Sequence, residues 1–99
     1  LSTICGYLST ICINSNGNVF SFGSSRRGEH GHEEERILVP TMIPSLTNIM
    51  AISCTGFHTV CLDNDGNVFT FGDNEFGELG VGMDKDTLYH THIPQKVNL

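Results

Sequence analysis

The stretch "NGNVFSFG", Asn16 to Gly23, returns almost unaltered as "DGNVFTFG", Asp65 to Gly72. An internal repeat constrains a fold more than any single motif, because each copy must be one supersecondary unit that buries its apolar face on its neighbour. A shift of 49 places lays Cys5 on Cys54, Thr10 on Thr59 and Cys12 on Cys61. It also lays Gly28-Glu29 on Gly77-Glu78 and Gly31 on Gly80, with Ile11 on Val60 and Ile13 on Leu62 as conservative pairs. Further along the offset grows to 50, where "TMIPSLTNI" (41–49) matches "THIPQKVNL" (91–99). That implies one residue added in the second copy's variable loop. The chain therefore reads as two tandem units, 1–49 and 50–99, cut at equivalent points.

Each unit reads as β structure. "STICI" and "HTVCL" are short runs rich in β-branched residues, and "NVFSF" and "NVFTF" are others. Asn16-Gly17 and Asp65-Gly66 stand between them, pairs that suit a two-residue type I′ turn with positive φ at both central positions. With a two-residue turn the phase agrees across the hairpin: Phe20 and Phe22 fall on one face, as do Ile11 and Ile13 opposite them. Val19 and Val68 point the other way from the phenylalanines, so the strands are expected to be covered on both sides. The stretches "GSSRRGEHGHEEER" and "GDNEFGELGVGMDKD" read as exposed connections rich in glycine and charge.

Composition excludes several classes. With 11 Gly in 99 residues and only 16% charged residues, the chain suits a turn-rich β protein better than a helical bundle. A formal net charge of −6 with five Lys and Arg leaves little to clasp a phosphate backbone, so direct nucleic-acid binding is not expected. No apolar run approaches a membrane helix, and nothing resembles a signal peptide. An intracellular setting, cytoplasmic or nuclear, is expected. Cys5, Cys12, Cys54 and Cys61 are then expected as packed thiols, with disulfide pairing and metal ligation as the alternatives their C-x6-C spacing leaves.

A β-rich unit of this length is a propeller blade or a solenoid coil. Trp-Asp and Gly-Gly signatures of other blade types do not occur. The second unit reads "CTGFHTVCLDNDGNVFTFGDNEFGELGVG", supplying His58, Leu62, Gly66, Phe71-Gly72, Asn74, Gly77, Leu79, Gly80 and Gly82 in order, followed by Ile93-Pro94. The first, more degenerate unit keeps Gly6, Gly17, Phe22-Gly23, Gly28, Gly31 and Pro44. It places Ser9 at the His position, Ser25 at the Asn position, His30 at the Leu position and Glu33 at the last Gly. This order resembles the regulator of chromosome condensation repeat family. The resemblance implies an all-β fold, two tandem blades of an RCC-like β-propeller built as four-stranded antiparallel sheets and belonging to a larger ring. Two blades cannot close such a ring, so further blades or another chain are expected to cover the strand edges. The repeat positions Gly17, Gly23, Gly28, Gly31, His58, Gly66, Gly72, Gly77, Leu79, Gly80 and Gly82 then have structural roles, with the His58 ring hydrogen-bonded inside its blade.

Motifs that suggest chemistry give way to plainer readings. "DNDGN" lacks the first and twelfth ligands of a calcium loop, since Cys61 and Gly72 occupy those places. "GELGVG" has the wrong glycine order for a dinucleotide turn, and "GSSRRG" is followed by Glu29-His30 rather than Lys-Ser/Thr. "HGH" and "HTH" read as solvated loop residues rather than a metal cluster. No catalytic constellation, cofactor or metal site is assigned, and the chain is not expected to be an enzyme.

What remains is a rim of unlike loops. Arg26, Arg27, His30, His32, Glu33, Glu34 and Glu35 in the first unit, with Glu75 and Phe76 in the second, are the candidate partner-contact residues. The expected function is a protein–protein interaction scaffold. The resemblance also implies an alternative, guanine-nucleotide exchange on a Ran-type small GTPase, a role in which the weak basic character argues against accompanying chromatin docking.

Overall fold

A computed structural model describes residues 2–5, 8–25, 27–55, 57–74, 79–82 and 90–98, with backbone alone for 2–5 and 55. Every regular element among them is a strand: β1 (Ser2–Cys5), β2 (Ser9–Ile13), β3 (Val19–Ser24), β4 (Arg36–Met42), β5 (Ile49–Thr55), β6 (His58–Asp63), β7 (Val68–Asp73) and β8 (His90–Val97). They form two antiparallel four-stranded sheets, in the orders β1-β2-β3-β4 and β5-β6-β7-β8. These are the two blades. Consecutive strands pair throughout, as short connections favour.

The central hairpin of each blade turns differently from the type I′ expectation. Gly17 (φ 80°) and Gly66 (φ 85°) are left-handed, but Asn16 and Asp65 are not. Asn14 N–H donates to Asn18 O at 3.0 Å and Gly17 N–H to Asn14 O at 3.0 Å, which encloses a three-residue loop with glycine last. The reason is the residue before the loop. The Asn14 Oδ1 accepts from the amides of Asn16 and Asn18, both at 3.0 Å. Asp63 does the same for Asp65 and Asn67 at 3.0 and 2.8 Å. A side-chain acceptor there stabilises the wider turn. Burial raises the Asp63 pKa, but the amide and side-chain bonds from Asn67, the Asp65 amide and nearby Lys96 outweigh it and hold the carboxyl below its usual range.

Register fixes which side chains share a face. The three-residue loop shifts the pairing by one residue from that of a two-residue turn, so Ile11 and Ile13 do not share the face of Phe20 and Phe22: opposite pairs Ile11↔Ser21 and Ile13↔Val19 make one face of the first blade, and Thr10↔Phe22 and Cys12↔Phe20 make the other. In the second blade Thr59↔Phe71 and Cys61↔Phe69 share a face, opposed to Val60↔Thr70 and Leu62↔Val68. We call the face bearing Thr-Cys-Phe-Phe the front and the other the rear. The core lies where the rear of blade one meets the front of blade two. It gathers Ile11, Ile13, Val19, Ile43, Leu46 and Ile49 with Cys61 and Phe71, and Ile52, Cys54 and Phe69 pack against it. Each of these buried side chains removes apolar area worth roughly 1.5–3 kcal/mol when fully covered, so the contact between blades is the principal stabilising surface of this unit.

The outer strands correct the sequence alignment. Ser21 pairs with Thr41 and its equivalent Thr70 pairs with Gln95. Gly23 likewise pairs with Ile37 and Gly72 with Thr91. The outer strands are thus related by an offset of 54, not 50, so Pro40 rather than Pro44 is the counterpart of Pro94. Both strands bulge at this proline, between Ser21 and Gly23 in one blade and between Thr70 and Gly72 in the other. Proline lacks the amide a ladder requires, and a bulge on the outer strand is where it is tolerated. The likeness of "TMIP" to "THIP" is a coincidence of letters; hydrogen-bond phase with β3 and β7 sets the equivalence.

Candidate functional site

The first blade's long connection, between β3 and β4, folds onto its rear face and fills the seam. Ser21 Oγ donates to His30 O, and Thr70 Oγ1 donates to Leu79 O at 2.7 Å in the second blade. His30 and Leu79 are both fully buried. This overturns the expectation for His30, which was counted with the solvated, partner-contact residues. It occupies the slot of an apolar core residue, bridging through Nε2 to Glu35 O at 3.2 Å while its Nδ1 accepts from the His32 amide at 3.3 Å. Burial and the neighbouring His32 lower its pKa against the opposing pull of the Glu35 carbonyl, so the ring is held neutral.

Around His30 the loop is tied at several points. Ser25, at the position of Asn74, donates to Glu29 Oε1 at 2.7 Å, and the Arg27 amide donates to the same oxygen at 3.0 Å. Ser25 N–H donates to Glu35 O at 2.8 Å. Buried Glu29 is thereby a structural brace, and its own carbonyl accepts from Thr59 Oγ1 of the second blade at 2.7 Å. Gly28 completes the seam: a Cβ there would lie 2.6 Å from the Thr91 and His92 backbone, so only glycine permits this approach.

Arg27 also crosses the seam. Its Nη1 stands 3.5 Å from Asp73 Oδ1, and its guanidinium carbon lies 5.9 Å from the centre of the Phe57 ring. The side chains are partly exposed, so the pair contributes at most about 1 kcal/mol. Arg27 is thus engaged within the molecule rather than presented outward.

The remaining candidates do stand together. His32, Glu33, Glu34 and Glu35 line a cleft with His90 and His92 of the second blade, Ser25 and Gly28 forming its floor; its volume is about 190 Å³. Glu33, Glu34 and Glu35 are exposed, and His32 is half-buried with Nε2 3.2 Å from Thr41 O. "HGH" and "HTH" read as solvated loop residues in the sequence; the structure instead puts His90 and His92 at the start of β8, and the seam brings three of the four histidines to one cleft. Among the described residues no group of three or more His, Cys, Asp and Glu is arranged to hold a metal ion.

Arg26, Glu75, Phe76 and Gly77 lie outside the described residues. Among the repeat positions, Gly17 and Gly66 close the hairpins, and Gly23 and Gly72 sit within β3 and β7. Gly31 faces Ile43 and Phe71 in the seam. Half-buried His58 opens β6 opposite Gly72, and Gly80 and Gly82 follow Leu79 with positive φ. Ser9, standing where the second blade has His58, is buried, and among the described residues its Oγ has no hydrogen-bond partner. Among the described residues Cys12, Cys54 and Cys61 form no disulfide with one another, and Cys54 Sγ lies 3.4 Å from Thr59 Oγ1; burial, with Cys54 nearby, pushes Cys61 up to about 12, so it is an inert core residue. No helix among the described residues is long and apolar enough to cross a membrane.

Solved structures share this arrangement. Yeast RCC1 (Prp20) bound to Kap60 superposes with a TM-score of 0.88 at 21% identity, over 99% of this chain and 22% of that one. Prp20p from Saccharomyces cerevisiae, described with its binding to Gsp1p and histones, gives 0.86 at 22% identity, over 99% and 23%. Human WBSCR16 gives 0.85 at 19% identity, over 100% and 25%. The chain thus spans about a quarter of the length of these relatives, and the likeness establishes the propeller fold. No curated protein sequence matches it. Models of the regulator of chromosome condensation (RCC1) repeat match residues 16–62 and 65–99, and a second model of that repeat matches 50–78. Each of the two longer matches opens at the hairpin turn, so the sequence repeat runs turn to turn and is out of phase with the sheets. With both matches together spanning most of the sequence, the chain belongs to the regulator of chromosome condensation (RCC1) repeat family.

Proposed function

We propose that this segment is a protein–protein interaction scaffold that presents the acidic loop Glu33–Glu35 and the adjoining histidines to a protein partner with a basic surface. One observation carries the reading. The loop backbone is tied to the blades through Ser25, Glu29 and His30, while the three glutamate side chains face solvent beside the cleft. None of the three forms an ion pair among the described residues. A rigid loop loses little entropy on binding, and clustered charge accelerates encounter with an oppositely charged surface. Prp20, solved bound to Kap60 and described with its binding to Gsp1p and histones, is in keeping with protein partners.

The test replaces Glu33, Glu34 and Glu35 together by Gln, leaving the backbone bonds in place. A photo-crosslinker at Thr41, beside the His32 ring, should capture a defined protein from the native host with the wild-type acidic loop and lose it with the triple variant, the melting temperature being unchanged. Equal capture by both would refute the role of the loop. Accelerated nucleotide release from a small GTPase would replace the scaffold reading with the exchange reading.

A further inference from the structure

Equivalent loop positions in the two blades are filled by unlike residues. Blade two has Leu79, whose amide is held by Asn74 Oδ1 at 3.2 Å, and neither side chain titrates near neutral pH. Blade one has His30, and the two nitrogens of its buried ring make different bonds. Nε2 stands 3.2 Å from the Glu35 carbonyl oxygen, an atom that only accepts, so Nε2 carries the proton. Nδ1 accepts from the His32 amide at 3.3 Å, so it is bare. One ring thus brackets Glu33 and Glu34, tied at His32 on one side and at Glu35 on the other. Only the neutral ring in this tautomer can hold both ends.

We infer that His30 is a pH-sensitive clasp: neutral, it holds the turn carrying Glu33 and Glu34 on the blade, and a proton taken up at Nδ1 lets that turn go. A protonated Nδ1 is a donor set against the His32 N–H, so the bond between them is lost. The new charge is also enclosed between two blades. Burial disfavours it most; the Glu35 carbonyl favours it, His32 disfavours it, and the Glu29 carboxylate and the Glu34 carbonyl favour it. Glu29 is already engaged by Ser25 Oγ and the Arg27 amide. The surrounding strands carry Arg36 on β4, His58 and Cys61 on β6, Asp73 on β7, and His90 and His92 on β8. Cys61 stays neutral, Asp73 faces Arg27 at 3.5 Å, and histidines gain positive charge over the same range. Acidification therefore supplies no new anion to hold the charged ring. The bonds from Ser21 Oγ to His30 O, from Gly31 N–H to Gly28 O and from Ser25 N–H to Glu35 O do not involve the ring, so release is confined to His32, Glu33 and Glu34. On the scaffold reading, on which this consequence alone rests, acidification withdraws the ordered acidic surface and the basic partner leaves.

Hydrogen–deuterium exchange of the full chain, corrected for the intrinsic pH dependence of amide exchange, reads the clasp without any partner. From about pH 7.5 to about pH 5.5 the segment 31–35 should lose protection about tenfold, the factor set by one pH unit below the ordinary histidine value of 6.5. His30→Gln, whose amide donates and accepts but does not titrate, should keep its protection at both. Should that variant fail to fold by circular dichroism, the ring nitrogen shifts of wild-type His30 decide. Nε2 should be protonated and Nδ1 bare at the higher pH, and protonation of Nδ1 should coincide with loss of the His32 amide signal. Equal protection at the two pH values, a Gln variant that loses protection as the wild type does, or a ring protonated at Nδ1 at the higher pH overturns the clasp. So does a loop that exchanges no faster than β7 at the lower pH, since it then opens only with the whole unit. Partner capture through the crosslinker at Thr41 should fall with protection in the wild type and stay level in the Gln variant. Capture that holds while protection falls overturns the regulatory consequence and leaves the scaffold standing. Protection that falls with no capture at any pH supports the clasp and counts against the scaffold.

Discussion

Gly17 and Gly66 occupy the same place in the same turn with nearly the same φ, 80° and 85°, but their surroundings differ. A Cβ on Gly17 would lie 2.9 Å from Asn48 Cα and 3.0 Å from Ile49 N, whereas one on Gly66 meets nothing within 4 Å. Alanine in the left-handed region costs about 1–2 kcal/mol, and the smaller freedom of the unfolded chain returns about 0.4–1 kcal/mol. Gly66→Ala should therefore destabilise by about 1 kcal/mol. Gly17→Ala bears the same cost and must also displace the backbone between the blades. Those atoms are held in place by the bond from Ile49 N–H to Gly17 O at 3.0 Å and by that from Asn64 N–H to Asn48 O at 3.0 Å. Overpacking of that kind adds about 1–3 kcal/mol, for a total of about 2–4 kcal/mol. Equilibrium urea unfolding, compared at a common m-value, measures the difference. Equal losses at the two sites would refute the account of the linker as the crowding group, and no loss at Gly66 would refute the left-handed turn.

Four further outcomes are expected. His30→Leu, which installs the residue type found at Leu79, should flatten the acid side of the stability profile. In the wild type the folded pKa is lowered, so the histidine's neutral form supports folding fully above its ordinary value of 6.5 and that support fades as pH falls through it; urea midpoints at neutral and mildly acidic pH should diverge in the wild type and converge in the variant. Thr59→Val leaves the Glu29 carbonyl without its donor across the seam and should cost about 1–3 kcal/mol, whereas Ser9→Ala removes a buried, unpartnered hydroxyl and should be neutral or stabilise by up to about 1 kcal/mol, both read by thermal melts. Phe71→Ala empties the centre of the inter-blade core and should cost about 3–5 kcal/mol in the same assay.

Much of the fold is legible in the letters. Alternation sets two faces per strand, and glycine after Asn16 and Asp65 marks each hairpin, but which faces coincide follows the turn: its third residue sets Ile13 opposite Val19 rather than Phe20. Three features are not legible, each for a physical reason. The turn type depends on Asn14 and Asp63, whose side chains reach forward to amides two and four residues on, a bond that composition at the turn itself does not reveal. The pairing of Pro40 with Pro94 depends on hydrogen-bond phase with β3 and β7, which the stronger local match of "TMIP" to "THIP" conceals. The cleft lined by His32, His90 and His92 exists because two blades stack, and no local pattern encodes that stacking.

His30 gives the sharpest instance. Its neighbours Glu29, Gly31, His32 and Glu33 argue for a solvated loop, yet its place in the repeat is that of Leu79, and the seam buries it completely. The sequence by itself determines the repeat and the strands, because period-two alternation and turn residues act over a few positions. Only the tertiary structure decides which loop residues fill the seam and which remain in solvent, because burial there is set by the approach of a second sheet contributed by residues about 30–60 positions away, an approach that ordinary turn and strand propensities do not report.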